Sequence, residues 1–312
     1  MSHVDTDVNP QMRDVLEQVT AREDPPAWAL STPAARQIAE ELYADRDHSA
    51  SVERERAFSI PGPTGEMAVR LYEPAEDGPR PALVYYHGGG FVRGSLDTHD
   101  SLCRALAEAS AATVISVDYR RAPENRFPAA LRDAHAAFEW VCEHAADIGC
   151  NPDQVAVGGD SAGGNLAAAS TLLARDSGGP TPAYQLLIYP ALDPNRTDAL
   201  PADAPALLTR EGMSWYWNQY LGDVVHGANS YAAPLRAETL ADLPPATVLT
   251  CEFDPLRAEG RDYARRLEAD GVAVESVDVD GHAHGYLLFP ELDATDEEIA
   301  ALARSLPWET ET

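Results

Sequence analysis

Ser161, at the centre of Gly159-Asp160-Ser161-Ala162-Gly163, is the side chain of this 312-residue sequence whose setting best suits a nucleophile. A strand-like run from Gln154 to Gly158 leads into the pentapeptide, and a helix-like run from Asn165 to Ala174 leaves it. Glycines at the first and fifth positions of G-x-S-x-G admit a tight strand-to-helix turn that a Cβ would block, so the hydroxyl stands exposed above the sheet edge. A serine before a helix can also be a simple cap, and a nucleophile needs partners. The first lies upstream, where the apolar run Ala82 to Tyr86 enters His87-Gly88-Gly89-Gly90-Phe91. Consecutive glycines leave backbone N–H groups unshielded, and acyl transfer needs such donors at the oxyanion of its tetrahedral intermediate. Gly88 and Gly89, joined by the N–H of Ala162, are the expected donors. Downstream, the β-rich Ala246 to Cys251 is followed by Glu252-Phe253-Asp254-Pro255-Leu256-Arg257, which places Asp254 beyond a strand end, where catalytic groups gather. Glu252 is a rival acid, with pairing to a nearby arginine as its structural alternative. Another alternating run, Val272 to Val279, leads to Gly281-His282-Ala283-His284-Gly285-Tyr286, in which His282 and His284 compete for the role of base. The spacing of Asp278 and Asp280 fits a solvated strand face and turn, and Asp160 fits a stabiliser of local turn amides.

Positioning these groups requires alternating strands and helices. Strands are expected at Met67 to Tyr72, Ala82 to Tyr86, Thr113 to Val117, Gln154 to Val157, Tyr184 to Tyr189, Ala246 to Cys251 and Ala273 to Val279. Helical periodicity appears at His99 to Ala109, Ala129 to Ala145, Gly163 to Ala174, Ala258 to Ala269 and Asp296 to Ser305. Such βα alternation implies an α/β fold, with a mostly parallel central sheet covered by helices on both faces. Residues 1–50 and 193–230, the latter with Trp215-Tyr216-Trp217, stand outside the alternation. They are expected to form a helical cap over a catalytic core of residues 51–192 and 231–312. The three aromatic residues could shape a pocket or merely fasten the insert to the core.

The ordered set His87 to Phe91, Asp118-Tyr119-Arg120-Arg121-Ala122-Pro123-Glu124, Phe127-Pro128-Ala129-Ala130, Gly159 to Asn165, Asp254 to Arg257 and His284-Gly285-Tyr286 resembles the hormone-sensitive-lipase-like carboxylesterases of the α/β-hydrolase superfamily. The resemblance spans most of the chain. It implies the chain order nucleophile, acid, histidine, and selects Asp254 as acid and His284, followed by Gly and an aromatic, as base. His284 would take the proton of Ser161 while Asp254 fixes its tautomer. The segment 118–128 reads as a loop bracing the oxyanion side. The implied activity is hydrolysis of short- to medium-chain acyl esters through an acyl-enzyme, without cofactor or metal. An amide or peptide hydrolase using the same triad is the alternative. A binding receptor on the same fold is another, since the plant gibberellin receptors resemble this family but lack the base histidine; His284 argues against it here. The resemblance also implies that two copies could pair through an edge strand at Ala273 to Val279.

Composition narrows the partners. There are 51 acidic against 23 basic residues, a net charge of −28, and every basic residue is arginine. A nucleic-acid footprint is absent from such a chain. An acidic excess spread along the whole length, with no lysine, resembles the surface of a halophile's cytoplasmic protein. The first ten residues lack a basic and apolar leader, and no apolar run approaches the roughly 18 residues of a membrane span, so a cytoplasmic location is expected. Cys103, Cys142, Cys150 and Cys251 lack metal-binding spacing and are expected to be reduced thiols.

Overall fold

The computed structural model describes residues 8–44, 46, 49–75, 78–196 and 206–308. The parts of the expected cap at 1–7, 45, 47, 48 and 197–205, and residues 76, 77 and 309–312, lie outside them. In chain order the elements are α1 (Pro10–Ala21), α2 (Thr32–Tyr43), β1 (Arg54–Gly62), β2 (Gly65–Glu73), β3 (Arg80–Tyr86), α3 (Asp100–Ser110), β4 (Thr113–Val117), α4 (Ala129–His144), β5 (Cys150–Asp160) and α5 (Ala162–Ser177). They continue as β6 (Gln185–Ile188), α6 (Arg210–Leu221), β7 (Ala246–Phe253), α7 (Arg257–Ala269), β8 (Val274–Ala283) and α8 (Asp293–Ser305).

Among the described residues eight strands form one sheet in the order β1-β2-β4-β3-β5-β6-β7-β8. Pairs β1/β2 and β2/β4 are antiparallel, and all later pairs are parallel. The central strands are buried on both faces, which is why they read as continuous apolar runs. Their period of two still divides the core. Ala82, Val84 and Tyr86 of β3 join the cluster that includes Ala134 and Phe138 of α4, Leu166 of α5 and Tyr263 of α7. Leu83 and Tyr85 face the cluster of Leu102 and Leu106 of α3, Ile299 and Leu302 of α8, and Met12 and Val15 of α1. Parallel pairing with crossover helices on both faces brings the carboxyl ends of β3, β5, β7 and β8 to one rim.

Strand β1 departs from the expectation, which assigned nothing before Met67. Most of its residues are at least partly exposed, and only Ile60 of the strand is buried, so little apolar signal marks it. A two-residue turn at Pro63 and Thr64 and an antiparallel register with β2 hold it in place. At the other edge, β8 exposes alternate residues until Gly281, His282 and Ala283 turn inward.

Candidate active site

Ser161 occupies the turn between β5 and α5 with φ 54° and ψ −115°. This left-handed backbone is strained for a residue with a Cβ, at a cost of about 1–3 kcal/mol, and the surrounding turn must hold it there. Two glycines make that turn attainable. A Cβ on Gly163 would lie 1.7 Å from Tyr86 O, and one on Gly159 would lie 2.4 Å from the same atom, so β3 approaches the elbow more closely than any side chain allows. The Ser161 N–H donates to Ile188 O at 2.8 Å and its carbonyl accepts from Ala191 N at 3.1 Å, which binds the turn to the end of β6.

Three chain segments meet at this serine. Asp254 immediately follows β7 and His284 immediately follows β8. His284 Nε2 lies 2.9 Å from Ser161 Oγ, and His284 Nδ1 lies 2.8 Å from Asp254 Oδ2. The other carboxylate oxygen, Oδ1, accepts the Leu256 N–H at 2.8 Å, which fixes the carboxylate plane. Asp254 is 2 % exposed, so its charge acts on the imidazole with little water between them. The Tyr189 ring lies 4.7 Å from that of His284.

The competing groups have other partners. His282 Nδ1 lies 2.8 Å from Asp280 O, and its ring sits 4.9 Å from Tyr286. Glu252 accepts the Gly281 N–H at 2.8 Å, bracing the end of β8 where an arginine partner was expected. Asp278 is exposed on the strand face as expected, but it also bonds neighbouring side chains. It accepts from Thr250 Oγ1 at 2.8 Å and bonds Arg257 and Arg261. Burial pushes its pKa up, but the hydrogen bonds from Arg257 and Thr250 outweigh this and hold it at about 2.

The glycine loop differs from expectation at one donor. The Gly88 N–H, assigned above to the oxyanion, is enclosed by Asp160 Oδ1 at 2.9 Å and His99 Nε2 at 3.1 Å. A donor so occupied cannot also face a reacting oxygen. Gly89 and Gly90 line the pocket that Ser161 and His284 enter, and among the described residues no acceptor takes their N–H groups or that of Ala162 at the start of α5. Asp160 is thus more than a local turn stabiliser. It reaches a loop 72 residues earlier, and also accepts from Tyr85 Oη at 2.9 Å. Although burial pushes its pKa up, His99 and the Tyr85 hydroxyl outweigh that and leave it lowered. His87 beneath the loop is held neutral at physiological pH. Burial first, and then neighbouring His99, lower its pKa to about 3, while Nδ1 lies 2.8 Å from Gly88 O and the ring stacks on Tyr119 at 4.3 Å.

Segment 118–128 reinforces the same loop. Tyr119 Oη donates to His87 O at 2.7 Å, and the Ala122 N–H donates to Phe91 O at 2.9 Å. Helix α2 joins from above, because Arg36 donates to Val92 O at 2.8 Å and to Ala122 O at 2.9 Å. Helix α6 closes the side. Tyr220 stacks on Phe91 at 3.7 Å, Trp217 lies 5.3 Å from Phe91, and Tyr216 packs where a Gly90 side chain would project. Ala39 and Tyr43 of α2, with Met213 and Tyr216 of α6, complete the pocket wall. The aromatic run therefore both fastens α6 and shapes the pocket, with Trp215 only partly buried. No helix among the described residues is long and apolar enough to cross a membrane.

Comparison with known proteins agrees with this architecture. Residues 83–288 match the model of an α/β-hydrolase-fold family. The chain is 47 % identical over 263 residues to the carboxylic ester hydrolase LipN of Mycobacterium tuberculosis, covering 80 % of this chain and 70 % of that protein. It is 36 % identical over 250 residues to an ethyl acetate hydrolase of Pseudomonas putida, covering 77 % and 78 %. The solved esterase of Pyrobaculum calidifontis superposes with a TM-score of 0.89 at 39 % identity, covering 96 % of this chain and 98 % of its own. A family match over most of the chain, together with these relatives, shows that the chain belongs to the hormone-sensitive-lipase-like carboxylesterases of the α/β-hydrolase fold.

Proposed function

We propose that this carboxylesterase cleaves short- to medium-chain acyl esters through an acyl-enzyme on Ser161. The observation that carries the reading is the continuous hydrogen-bonded chain from Asp254 through His284 to Ser161 at the floor of a pocket. His284 Nε2 takes the Ser161 proton as Oγ attacks the ester carbonyl, and Asp254 stabilises the resulting imidazolium. The developing oxyanion accepts from the N–H groups of Gly89, Gly90 and Ala162. Collapse of the intermediate expels the alcohol, which receives the proton from His284. A water then repeats the sequence on the acyl-enzyme and releases the acid. Ala39 and Tyr43 of α2, with Met213 and Tyr216 of α6, limit the acyl pocket from the cap side.

The test combines variants with graded substrates. Ser161→Ala, His284→Ala and Asp254→Asn should each abolish most p-nitrophenyl butyrate hydrolysis in folded protein. Double variants should be hardly worse than singles, since groups acting as a unit lose the same stabilisation once. His282→Ala should retain activity, and the reverse pattern would reassign the base. The benefit of each added CH₂, about 0.8 kcal/mol where buried, should end once the chain outgrows the pocket. Equal rates on emulsified long-chain triacylglycerol would contradict the chain-length reading. Matched anilides should be cleaved far more slowly than esters; the opposite preference would favour an amidase.

A further inference from the structure

Arg93 is an unexpected side chain for a pocket meant to hold only an apolar acyl group. It lines the cavity that contains Ser161, His284, Gly89 and Gly90. Its backbone is fixed, because the Arg93 N–H donates to Gly89 O at 2.8 Å in the turn that forms the glycine loop. Its guanidinium lies 5.3 Å from the Tyr216 ring centroid, and Nε is buried with no hydrogen-bond partner. Several arginines nearby meet carboxylates, although Arg121 donates instead to Gly94 O. Arg36 meets Glu124, Arg70 meets Asp97 and Asp100, Arg104 meets Asp100, and Arg120 meets Asp133. Carboxylates outnumber cations by 51 to 23 in this chain, yet none among the described residues pairs with Arg93. Asp160 lines the same cavity, but its carboxylate is engaged by Gly88 N–H, Tyr85 Oη and His99. Tyr43, also on the wall, has a hydroxyl with no hydrogen-bond partner among the described residues. With no carboxylate partner among the described residues, the Arg93 guanidinium shares the pocket wall with the Tyr43 hydroxyl, and a ligand carboxylate that reached its outer N–H groups would accept from them with charge assistance.

We infer that the pocket selects esters carrying a second, ionised carboxyl group, namely monoesters of short dicarboxylic acids, with Arg93 binding the carboxylate while Ser161 attacks the ester carbonyl. This rests on the esterase function proposed above and names its substrate class. The chemistry is unchanged: the ester C–O bond is cleaved by water, the alcohol leaves, and a dicarboxylate is released. The net charge of −28 opposes an approaching anion, but at about 0.15 M ionic strength the Debye length is about 8 Å, so contact with Arg93 outweighs the distant surface carboxylates.

The test compares monoethyl succinate and monoethyl glutarate with the neutral ethyl pentanoate at fixed ionic strength. In the wild-type protein kcat/KM should favour a monoester by about tenfold or more, the scale of one charge-assisted contact. Arg93→Met should collapse that ratio, chiefly through KM for the monoester, and Arg93→Glu should invert it. Tm of each variant establishes folding. Titration of Ser161→Ala with unreacted monoethyl succinate by calorimetry reads binding without turnover, and Ser161→Ala/Arg93→Met should not bind. If ethyl pentanoate is cleaved but the ratio is indifferent to Arg93, the guanidinium only packs on Tyr216 and the inference fails while the esterase function stands. If no ester is cleaved and monoethyl succinate does not bind, both fail.

Discussion

A single hydrogen-bond partner, Asp160, determines that the Gly88 N–H is engaged within the protein and not open to the pocket. Ser161 was marked out in the sequence by its own turn motif, whereas Asp254 over Glu252 and His284 over His282 were selected only by the family resemblance, and the structure brings those three side chains together. The direction of a backbone N–H was not readable, since it depends on a carboxylate 72 residues away and on the His99 ring between them. Arg93 was equally silent, because one arginine among many carries no signal until its lack of a counter-charge is visible. Asp160→Ala should lose up to about 10²–10³ in kcat, the range for a misplaced oxyanion donor, while a phosphonate still labels Ser161. Asp160→Asn keeps an acceptor for Gly88 and should lose much less. Equal losses in the two variants would show that charge, rather than positioning, is what Asp160 contributes.

At the scale of elements, the parallel strands and their helices were legible from apolar runs and 3.6-residue periodicity, often to within a few residues. Strand β1 was not, because an exposed edge strand needs pairing more than burial and alternates only weakly. The docking of α2 on the glycine loop was also hidden, since it rests on Arg36 donating to backbone carbonyls that carry no sequence signature. Arg36 also meets Glu124, whose side chain is 53 % exposed, and such ion pairs contribute at most about 1 kcal/mol. The bonds to Val92 O and Ala122 O matter more, since charged donors to carbonyls contribute about 1.5–3 kcal/mol in total. Arg36→Met should therefore lower stability and kcat/KM together, while Glu124→Gln changes either by a small fraction of that. Denaturant midpoints for the two variants decide the ranking, and equal shifts would mean that the ion pair dominates.

For the whole molecule, charge is the dominant quantity. Ion pairs such as Arg70 with Asp100 and Arg257 with Asp278 are weakened by salt, which on its own would destabilise the fold. Even if all 23 cations were matched, 28 carboxylates (51 − 23) would remain without one, so repulsion among acidic groups outweighs the pairs. At about 1 M salt the Debye length falls to about 3 Å and that repulsion is largely removed. Tm and activity should rise together from dilute buffer to molar KCl, with slow inactivation in dilute buffer. Sulfate compared with chloride at equal ionic strength separates screening from strengthened apolar burial. A flat Tm across the series would mean that the acidic surface is no adaptation to salt.

The occupied amide of Gly88 lies beside amides of Gly89 and Gly90 that meet no acceptor among the described residues, which gives three adjacent residues very different exchange clocks. Gly88 can trade its proton for deuterium only when Asp160 releases it, an opening that disrupts the junction of β5 with the glycine loop. Gly89 and Gly90 face the pocket without such a guard and should exchange within the earliest time points. A phosphonate on Ser161 places an anionic oxygen where the tetrahedral intermediate would put one. Its arrival should slow Gly89 and Gly90 sharply and leave Gly88 as it was, so isotope uptake reads out which amides hold the oxyanion without any turnover being measured.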